Sequence, residues 1–243
     1  MTSKYVQTLA FDVYGTLCDT ASISSAIAKY LSIERDRANV VSSTWRIYQL
    51  EYTWRMNSMN IYEPFDIVTR NSLVHTLKEL QIPFTEEAVQ DILESYNKLA
   101  CFPETLDALR QLQGLENVKI IIFSNGTYSM VKQALQEAGL SSLYEDIFVA
   151  DSIKCYKPDP AIYNGLLSLA NQGGGSASNN CWLVSGNPFD ITGALSCGLK
   201  AIWVDRAHKG WSDSLLGISP SAKRPTSIVN SLEDIAQIFQ GPV

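Results

Sequence analysis

Reactive side chains recur in this sequence directly after apolar segments that are typical of β-strands. Asp12 ends the first such segment, YVQTLAF, where a lone carboxylate suits three roles: a solvated turn residue, a metal ligand or a nucleophile. The other polar residues at comparable positions are Thr16, Ser124, Asn125, Lys157, Ser185, Asn187 and Asp190. Ligands of open α/β sheets bind outside the carboxyl ends of the strands. We therefore expect these residues to form one active site.

The second half of the sequence has the pattern of an α/β fold. Residues 118–123 (VKIIIF) predict a buried parallel strand, because their three isoleucines are consecutive rather than alternating. Helical segments and short apolar strands then alternate as far as Val204, and Gly139 and Gly198 suit left-handed helix C-caps. Together with the first strand, this pattern predicts roughly five strands in a doubly wound, Rossmann-like parallel sheet.

Residues 19–98 have a different pattern, with helical periodicity and no predicted strand. Within this block, Thr85 is an expected helix N-cap. A helical block inserted after the first strand predicts a cap domain at 19–98 and a core domain formed by 1–18 and 99–243. In the core, the segment NQGGGSASNN (171–180) predicts a flexible surface loop.

The composition is that of a globular enzyme and argues against several other classes of protein. Of the 243 residues, 46% are hydrophobic and 18% are charged, and the net charge of −6 disfavours nucleic-acid binding. No apolar run approaches the roughly 18–20 residues of a membrane helix, and the N-terminal segment lacks a signal-peptide pattern. Five widely spaced cysteines without a CxxC pair predict reduced thiols in a cytoplasmic protein. With only two histidines, a carboxylate is the expected general base.

Four motifs carry a resemblance to a known family. DVYGTL, SNG, KPDPAIY and SGNPFDITGA, in this order and spacing, resemble the haloacid dehalogenase superfamily over essentially the whole chain. WRIYQLEYTW (45–54) is similar to the type II 2-haloacid dehalogenase subgroup in particular. The resemblance implies hydrolysis of short L-2-haloalkanoic acids to 2-hydroxy acids through an ester on Asp12, without a metal or other cofactor. It also implies a small-molecule substrate and a homodimer that forms through the cap.

The resemblance further implies a role for each candidate residue. Lys157 would keep Asp12 ionised and oriented, and Asp190 would position or deprotonate the hydrolytic water. Arg46, in the predicted cap, would accept the departing halide. The residues beside the halide would be Asn125 and Phe65. The residues that hold the substrate carboxylate and complete the polar network would be Thr16, Ser124, Tyr163, Ser185 and Asn187. Those that form a small apolar pocket would be Tyr14, Leu50 and Phe189.

Two positions disfavour a magnesium-dependent phosphatase, which is one alternative on this scaffold. Phosphatases of the superfamily carry a general-acid aspartate two residues after the nucleophile, where this chain has Tyr14. They also carry a magnesium-binding aspartate early in the fourth loop, where this chain has Gly186. Magnesium prefers anionic oxygen ligands, so these residues predict attack on carbon without a metal.

Two further departures leave the substrate open. Ile47 follows Arg46 where related dehalogenases commonly carry glutamine, and Phe189 stands where tryptophan is frequent. Both changes predict a more apolar or bulkier substrate than chloropropionate. An alternative is therefore attack by Asp12 on another activated carbon, such as an epoxide, in specialised metabolism. A non-catalytic binding protein is disfavoured, because it would not need Asp12, Lys157 and Asp190 together.

Overall fold

One parallel sheet lies at the centre of the computed structural model, which describes residues 6–171, 180–215 and 224–240. In this part of the chain its six strands are β1 (Gln7–Phe11), β2 (Val118–Ser124), β3 (Asp146–Val149), β4 (Cys181–Ser185), β5 (Lys200–Val204) and β6 (Ser227–Val229). Their order is β3-β2-β1-β4-β5-β6, and every neighbouring pair is parallel. This doubly wound order confirms the predicted fold class and adds a short sixth strand that the pattern did not indicate.

The central strand is buried because helices cover both faces of the sheet. Leu9, Ala10 and Phe11 in β1 have no exposed surface, which explains their continuous apolar run. Phe11 pairs with Ile122 of β2 on one side and with Val184 of β4 on the other. The chain order reverses between β1 and β4, so the loops after these strands diverge and leave a crevice at the carboxyl edge.

The helices that accompany the sheet follow the predicted alternation. After β1 and the helical block come α5 (Thr105–Gln113), α6 (Tyr128–Glu137), α7 (Pro160–Asn171), α8 (Pro188–Ser196) and α9 (Ile235–Phe239). Gly139 and Gly198, which follow α6 and α8, have φ angles of +71° and +82°, as expected of left-handed C-caps. Most of the predicted loop 171–180 lies outside the described residues.

The segment between β1 and α5 is mostly helical. A short 3₁₀ turn (Thr20–Ile23) leads into α1 (Ser24–Leu31), α2 (Arg35–Met59), α3 (Phe65–Glu79) and α4 (Glu86–Tyr96). The side chain of Thr85 accepts a hydrogen bond from the backbone N–H of Ala88 at 3.1 Å, so the predicted N-cap is present. The indole N–H of Trp45 in α2 donates to the carbonyl of Thr69 in α3 at 3.0 Å.

Two short segments link this helical block to the sheet, and they pair with each other. We define residues 17–19 and 100–102 as the two crossings. The N–H of Asp19 donates to the carbonyl of Ala100 at 2.8 Å, and the N–H of Phe102 donates to the carbonyl of Leu17 at 3.0 Å. The crossings therefore form a small antiparallel ladder between the sheet and the helices.

Among the residues that the structure describes, no helix combines the length and apolar character that crossing a bilayer requires.

Candidate active site

Asp12 lies directly after β1, and its carboxylate is almost fully buried, with 6% of the residue exposed. Its Oδ2 accepts hydrogen bonds from Thr16 Oγ1 at 2.7 Å, Asn187 Nδ2 at 2.7 Å and Ser185 Oγ at 3.4 Å. Its Oδ1 accepts one from Lys157 Nζ at 3.1 Å. These donors fix the orientation of the carboxylate, with Oδ2 more crowded than Oδ1.

The loops after β1 and β4 contact each other closely beside this carboxylate. Gly15 has a φ of +87°, a conformation that favours glycine, and Thr16 Oγ1 accepts a hydrogen bond from the Gly186 N–H at 2.9 Å. A Cβ atom added at Gly186 would lie 2.5 Å from the carbonyl oxygen of Gly15. The two loops therefore fit only because position 186 has no side chain.

Lys157 is a buried cation with three acceptors. Only 1% of the residue is exposed, and its Nζ contacts Asp12 Oδ1 at 3.1 Å, Asp190 Oδ2 at 2.7 Å and the carbonyl oxygen of Phe123 at 2.8 Å. Its ammonium also lies 4.1 Å from the centre of the Phe123 ring. Because each proton has an acceptor, the desolvation of the charge is compensated.

Asp190 lies in the first turn of α8 and has no exposed surface. Its Oδ1 accepts a hydrogen bond from the hydroxyl of Tyr163 at 2.7 Å, and its Oδ2 accepts one from Lys157 Nζ at 2.7 Å. Burial raises the pKa of Asp190, and the charge of Lys157 opposes that effect. Burial likewise raises the pKa of Tyr163, which keeps its hydroxyl protonated and able to donate.

Arg46 extends from α2 toward the sheet. Its Nη2 donates to the carbonyl of Tyr14 at 3.2 Å and lies 3.5 Å from Asn187 Oδ1, while its Nη1 donates to Gln49 Oε1 at 2.8 Å. The helical block thus contributes a guanidinium to the Asp12 network through Asn187.

The structure places the remaining predicted residues around this network. Ser124 is buried and accepts a hydrogen bond from the Gly126 N–H at 3.1 Å, and Asn125 Oδ1 accepts one from the backbone N–H of Lys157 at 2.9 Å. Leu50 is half-buried on α2. The ring of Phe189 packs edge-on against that of Trp54, with 5.5 Å between ring centres.

Aromatic stacking surrounds the first loop. The ring of Tyr14 stacks on those of Phe65 and Tyr96, with ring centres 5.9 Å and 5.4 Å apart. The Tyr14 hydroxyl is buried and has no hydrogen-bond partner among the described residues. The stack joins the first loop to α3 and α4 and buries all three rings.

The side chain of Ile47, whose type predicted a more apolar or bulkier substrate, points away from the site, and 63% of the residue is exposed. Arg46 faces the site, and the next residue along the helix is turned by about 100° from it, so the two side chains diverge.

Two positioning residues were not predicted from the sequence. Gln49 lies one turn after Arg46, accepts its hydrogen bond and donates to Thr69 Oγ1 at 2.9 Å. Asn57, near the end of α2, binds both backbone groups of Tyr156, at 2.6 Å and 3.0 Å. The i, i+3 spacing of Gln49 from Arg46 was a signal for the first contact. Asn57 gave no such signal, because its partner is 99 residues away.

The arrangement suits nucleophilic attack better than metal binding. The part of the chain that the structure describes has no cluster of three or more His, Cys, Asp or Glu side chains able to hold a metal ion. Its two site carboxylates, Asp12 and Asp190, instead share the ammonium group of Lys157. A carboxylate oriented in this way can attack an electrophilic carbon.

Comparisons with known proteins agree with this geometry. The model of the haloacid dehalogenase-like hydrolase family matches residues 6–198. Haloacetate dehalogenase H-2 of Moraxella sp. (strain B) is 31% identical over 222 residues, which are 91% of this chain and 95% of that protein. The (S)-2-haloacid dehalogenase of Pseudomonas sp. (strain YL) is 30% identical over 236 residues, or 97% and 95% of the two chains.

Solved structures show the same similarity. The L-2-haloacid dehalogenase from Xanthobacter autotrophicus superposes with a TM-score of 0.82 at 28% identity, covering 98% of this chain and all of that one (100%). A second structure from that organism, with chloropropionic acid covalently bound, has a TM-score of 0.80 at 26% identity, with 98% and 100% covered.

Proposed function

Because the chain belongs to the haloacid dehalogenase-like hydrolases, we propose that it hydrolyses short L-2-haloalkanoic acids to 2-hydroxy acids. The observation that carries the proposal is the Asp12 carboxylate, which is buried, paired with Lys157 and less crowded at Oδ1 than at Oδ2. The 30–31% identical relatives act on haloacetate or (S)-2-haloacids, as their names state. The L enantiomer rests on that similarity.

In the first step, Asp12 Oδ1 attacks C2 of the substrate and the carbon–halogen bond breaks. The halide leaves with the bonding electrons, and an ester forms between Asp12 and the former C2. The hydrogen bonds to Oδ2 hold the carboxylate in position for an in-line approach. The structure from Xanthobacter autotrophicus with chloropropionic acid covalently bound supports an intermediate of this kind.

In the second step, water attacks the Asp12 ester carbonyl and releases the 2-hydroxy acid. The negative charge that develops on Oδ2 would be stabilised by the Thr16, Asn187 and Ser185 donors that already face this atom. Asp190 would receive the proton of the water, because burial raises its pKa and makes it a stronger base.

The halide would leave toward the helical block. Arg46 is the cation from that side whose Nη2 approaches the network, at 3.5 Å from Asn187 Oδ1. Phe65 and Asn125 would lie beside the halide. Residues 19–98 would then act as a cap domain over a core formed by 1–18 and 99–243, so that the cap supplies the group that stabilises the leaving atom.

We expect the Arg46→Lys variant to lose more activity with chlorinated than with brominated substrates. Lysine keeps the positive charge but cannot donate from two nitrogen atoms as the guanidinium does. The leaving halide is then stabilised less, and we expect kcat to fall by a factor of about 10–100. Bromide leaves more readily and needs less stabilisation. The measurement is kcat for 2-chloro- and 2-bromopropionate, with Arg37→Lys on the same helix as a control. An equal loss with both halogens would contradict the assignment.

A magnesium-dependent phosphatase is a poor alternative for this site. A side chain at position 186, where those enzymes carry a magnesium ligand, would meet the Gly15 carbonyl at 2.5 Å. Tyr14, at the general-acid position, has a pKa raised well above its ordinary value by burial. Neither position supplies a carboxylate.

The alternative of an epoxide or another activated carbon loses its main support. It depended chiefly on Ile47, which stands where related dehalogenases commonly carry glutamine, and 63% of that residue is exposed. Phe189, in place of tryptophan, remains compatible with a somewhat larger substrate.

The decisive experiment is halide release from L- and D-2-chloropropionate in the presence of EDTA. We expect release from the L form alone, at a rate that EDTA does not change. A single turnover in ¹⁸O-labelled water should place the label in Asp12, because water attacks the ester carbonyl of the enzyme. Label that enters the 2-hydroxy acid directly, or inhibition by EDTA, would contradict the mechanism. If no halide is released from either substrate, epoxides are the next substrates to test.

A homodimer through the cap is also proposed. Val40, Ile47 and Trp54 recur at seven-residue intervals on α2 and are 50%, 63% and 40% exposed, so they form an apolar stripe along one side of the helix. Burying such a stripe against a second copy would remove it from water.

A cytoplasmic location is also proposed, since all five cysteines are free thiols, including two whose sulfur atoms lie 3.3 Å apart.

If the stripe forms the dimer, Ile47→Asp should convert the protein to a monomer. A charge at the centre of an apolar contact would be buried without a partner, which disfavours association. Light scattering coupled to size-exclusion chromatography measures the mass. Ile228→Asp is the control, because Ile228 is exposed but lies on β6, an edge strand of the sheet, and not on α2. A wild-type monomer, or an unchanged dimer in the Ile47 variant, would contradict the proposal.

A further inference from the structure

Cys18 and Cys101 face each other across the two crossings. They form an antiparallel bridge, and the hydrogen bonds Asp19 N–H to Ala100 and Phe102 N–H to Leu17 flank it on both sides. This pattern makes them a non-hydrogen-bonded pair, in which Cα atoms lie about 4.5 Å apart and side chains are closest. That separation is within the roughly 4.4–6.8 Å range of disulfides. The two sulfur atoms are free thiols 3.3 Å apart.

The two thiols differ in access to solvent. Cys18 is fully buried, whereas Cys101 is half-buried and lies in the wall of a surface cavity of about 380 Å³ between the second crossing and the end of α6. The hydrogen bond from Cys18 lowers the pKa of Cys101 and raises that of Cys18. A small oxidant would therefore meet Cys101 first, as the better nucleophile of the two.

We propose that Cys101 and Cys18 are an oxidant-responsive dithiol that forms a disulfide between the two crossings when the protein meets hydrogen peroxide. The Cys101 thiolate attacks one peroxide oxygen, the O–O bond breaks and hydroxide leaves, giving a sulfenic acid. The Cys18 sulfur then attacks the Cys101 sulfur, the S–O bond breaks and water leaves. In sum, two thiols and one peroxide give one disulfide and two waters.

The disulfide would close a ring that contains the entire helical block. Residues 19–100, which include α1 to α4, lie between the two cysteines. The bond would tie that block to the sheet at its base, and it would restrict the unfolded chain more than the native one. The expected consequence is a protein with a higher unfolding temperature after oxidation. This inference does not depend on the proposed reaction, since none of its steps uses the substrate.

The test is oxidation of the reduced full-length chain with a small excess of hydrogen peroxide, followed by alkylation and trypsin digestion. Cleavage gives peptides 5–29 and 99–110, each with one cysteine. We expect these two peptides to be linked, with a loss of two hydrogen atoms, and Tm to rise by about 5–10 °C. Dithiothreitol should reverse both changes. This test does not measure halide release. A failure of the proposed function can therefore be distinguished from a failure of the disulfide to form.

Three variants separate the roles of the two thiols. Cys101→Ser should abolish the linked peptides, whereas Cys197→Ser, a control at another half-buried free cysteine, should keep them. Cys18→Ser should stop oxidation at a Cys101 sulfenic acid that dimedone traps. Unlinked peptides in the oxidised wild type, preferential oxidation of other cysteines, or a link without a change in Tm would overturn the proposal. If the Cys18→Ser variant does not fold, Cys18→Ala replaces it in the same measurement.

Discussion

Replacing Asp12 with asparagine should lower kcat for halide release by at least about a thousandfold, because the neutral amide cannot displace halide from carbon. The variant is nearly isosteric, so Thr16 and Asn187 keep a neighbour of similar shape. The loss should therefore appear in kcat, while the protein remains folded. Halide release under saturating L-2-chloropropionate and the circular dichroism spectrum are the two measurements.

Asp205→Asn is the matched control for this change. Asp205 is also a buried carboxylate, but it accepts hydrogen bonds from the backbone N–H groups of Lys209 and Gly210 rather than from the Asp12 network. We expect that variant to keep its halide release. A folded Asp12→Asn protein with near wild-type activity would rule out the nucleophilic role of Asp12.

Replacing Lys157 with methionine should cost both activity and stability. Its ammonium contacts Asp12 and Asp190, so the variant leaves two buried carboxylates without their cation. Removing one partner of a buried ion pair lowers the free energy of unfolding by about 3–5 kcal/mol. The loss of orientation at Asp12 should lower kcat by at least about a hundredfold. Denaturant unfolding and halide release measure the two effects separately.

A double variant distinguishes charge balance from catalysis. Adding Asp190→Asn to Lys157→Met removes one of the two uncompensated charges, and the amide can still accept the Tyr163 hydroxyl. Part of the lost stability should return, whereas activity should not, because the double variant lacks both the ammonium that orients Asp12 and the Asp190 carboxylate proposed as the base. If activity returned with stability, Lys157 and Asp190 would both be structural residues only.

The fold could be predicted because its elements have strong local patterns. The consecutive isoleucines of 120–122 indicate a strand covered on both faces, and the structure buries them in β2. Thr85 is a cap that sequence alone identifies. The three-residue strand β6 has no comparable pattern, since it is too short to show periodicity and follows residues outside the described part of the chain.

The candidate site could be predicted only in part. Asp12 and Asn187 follow the adjacent strands β1 and β4, Ser185 is the last residue of β4, and the doubly wound order brings these residues together. The direction of a helical side chain is harder to predict, because neighbours along a helix point about 100° apart. That difference is why the exposed position of Ile47 and the contact between Gln49 and Arg46 were not predicted. The Cys18–Cys101 contact spans 83 residues, and no local pattern reports it.

The close fit of Gly15 and Gly186 bears on how this chain could change during evolution. Reaching phosphate chemistry would require a new acidic residue at position 186, and any side chain there would collide with the Gly15 carbonyl at 2.5 Å. The backbone of the first loop would have to move before such a residue could be accepted, and that movement would disturb the Thr16 contact to Asp12. A single substitution at position 186 is therefore expected to lower the present activity before it could supply a magnesium ligand. Gly186 thus makes a change from attack on carbon to attack on phosphorus difficult for this chain.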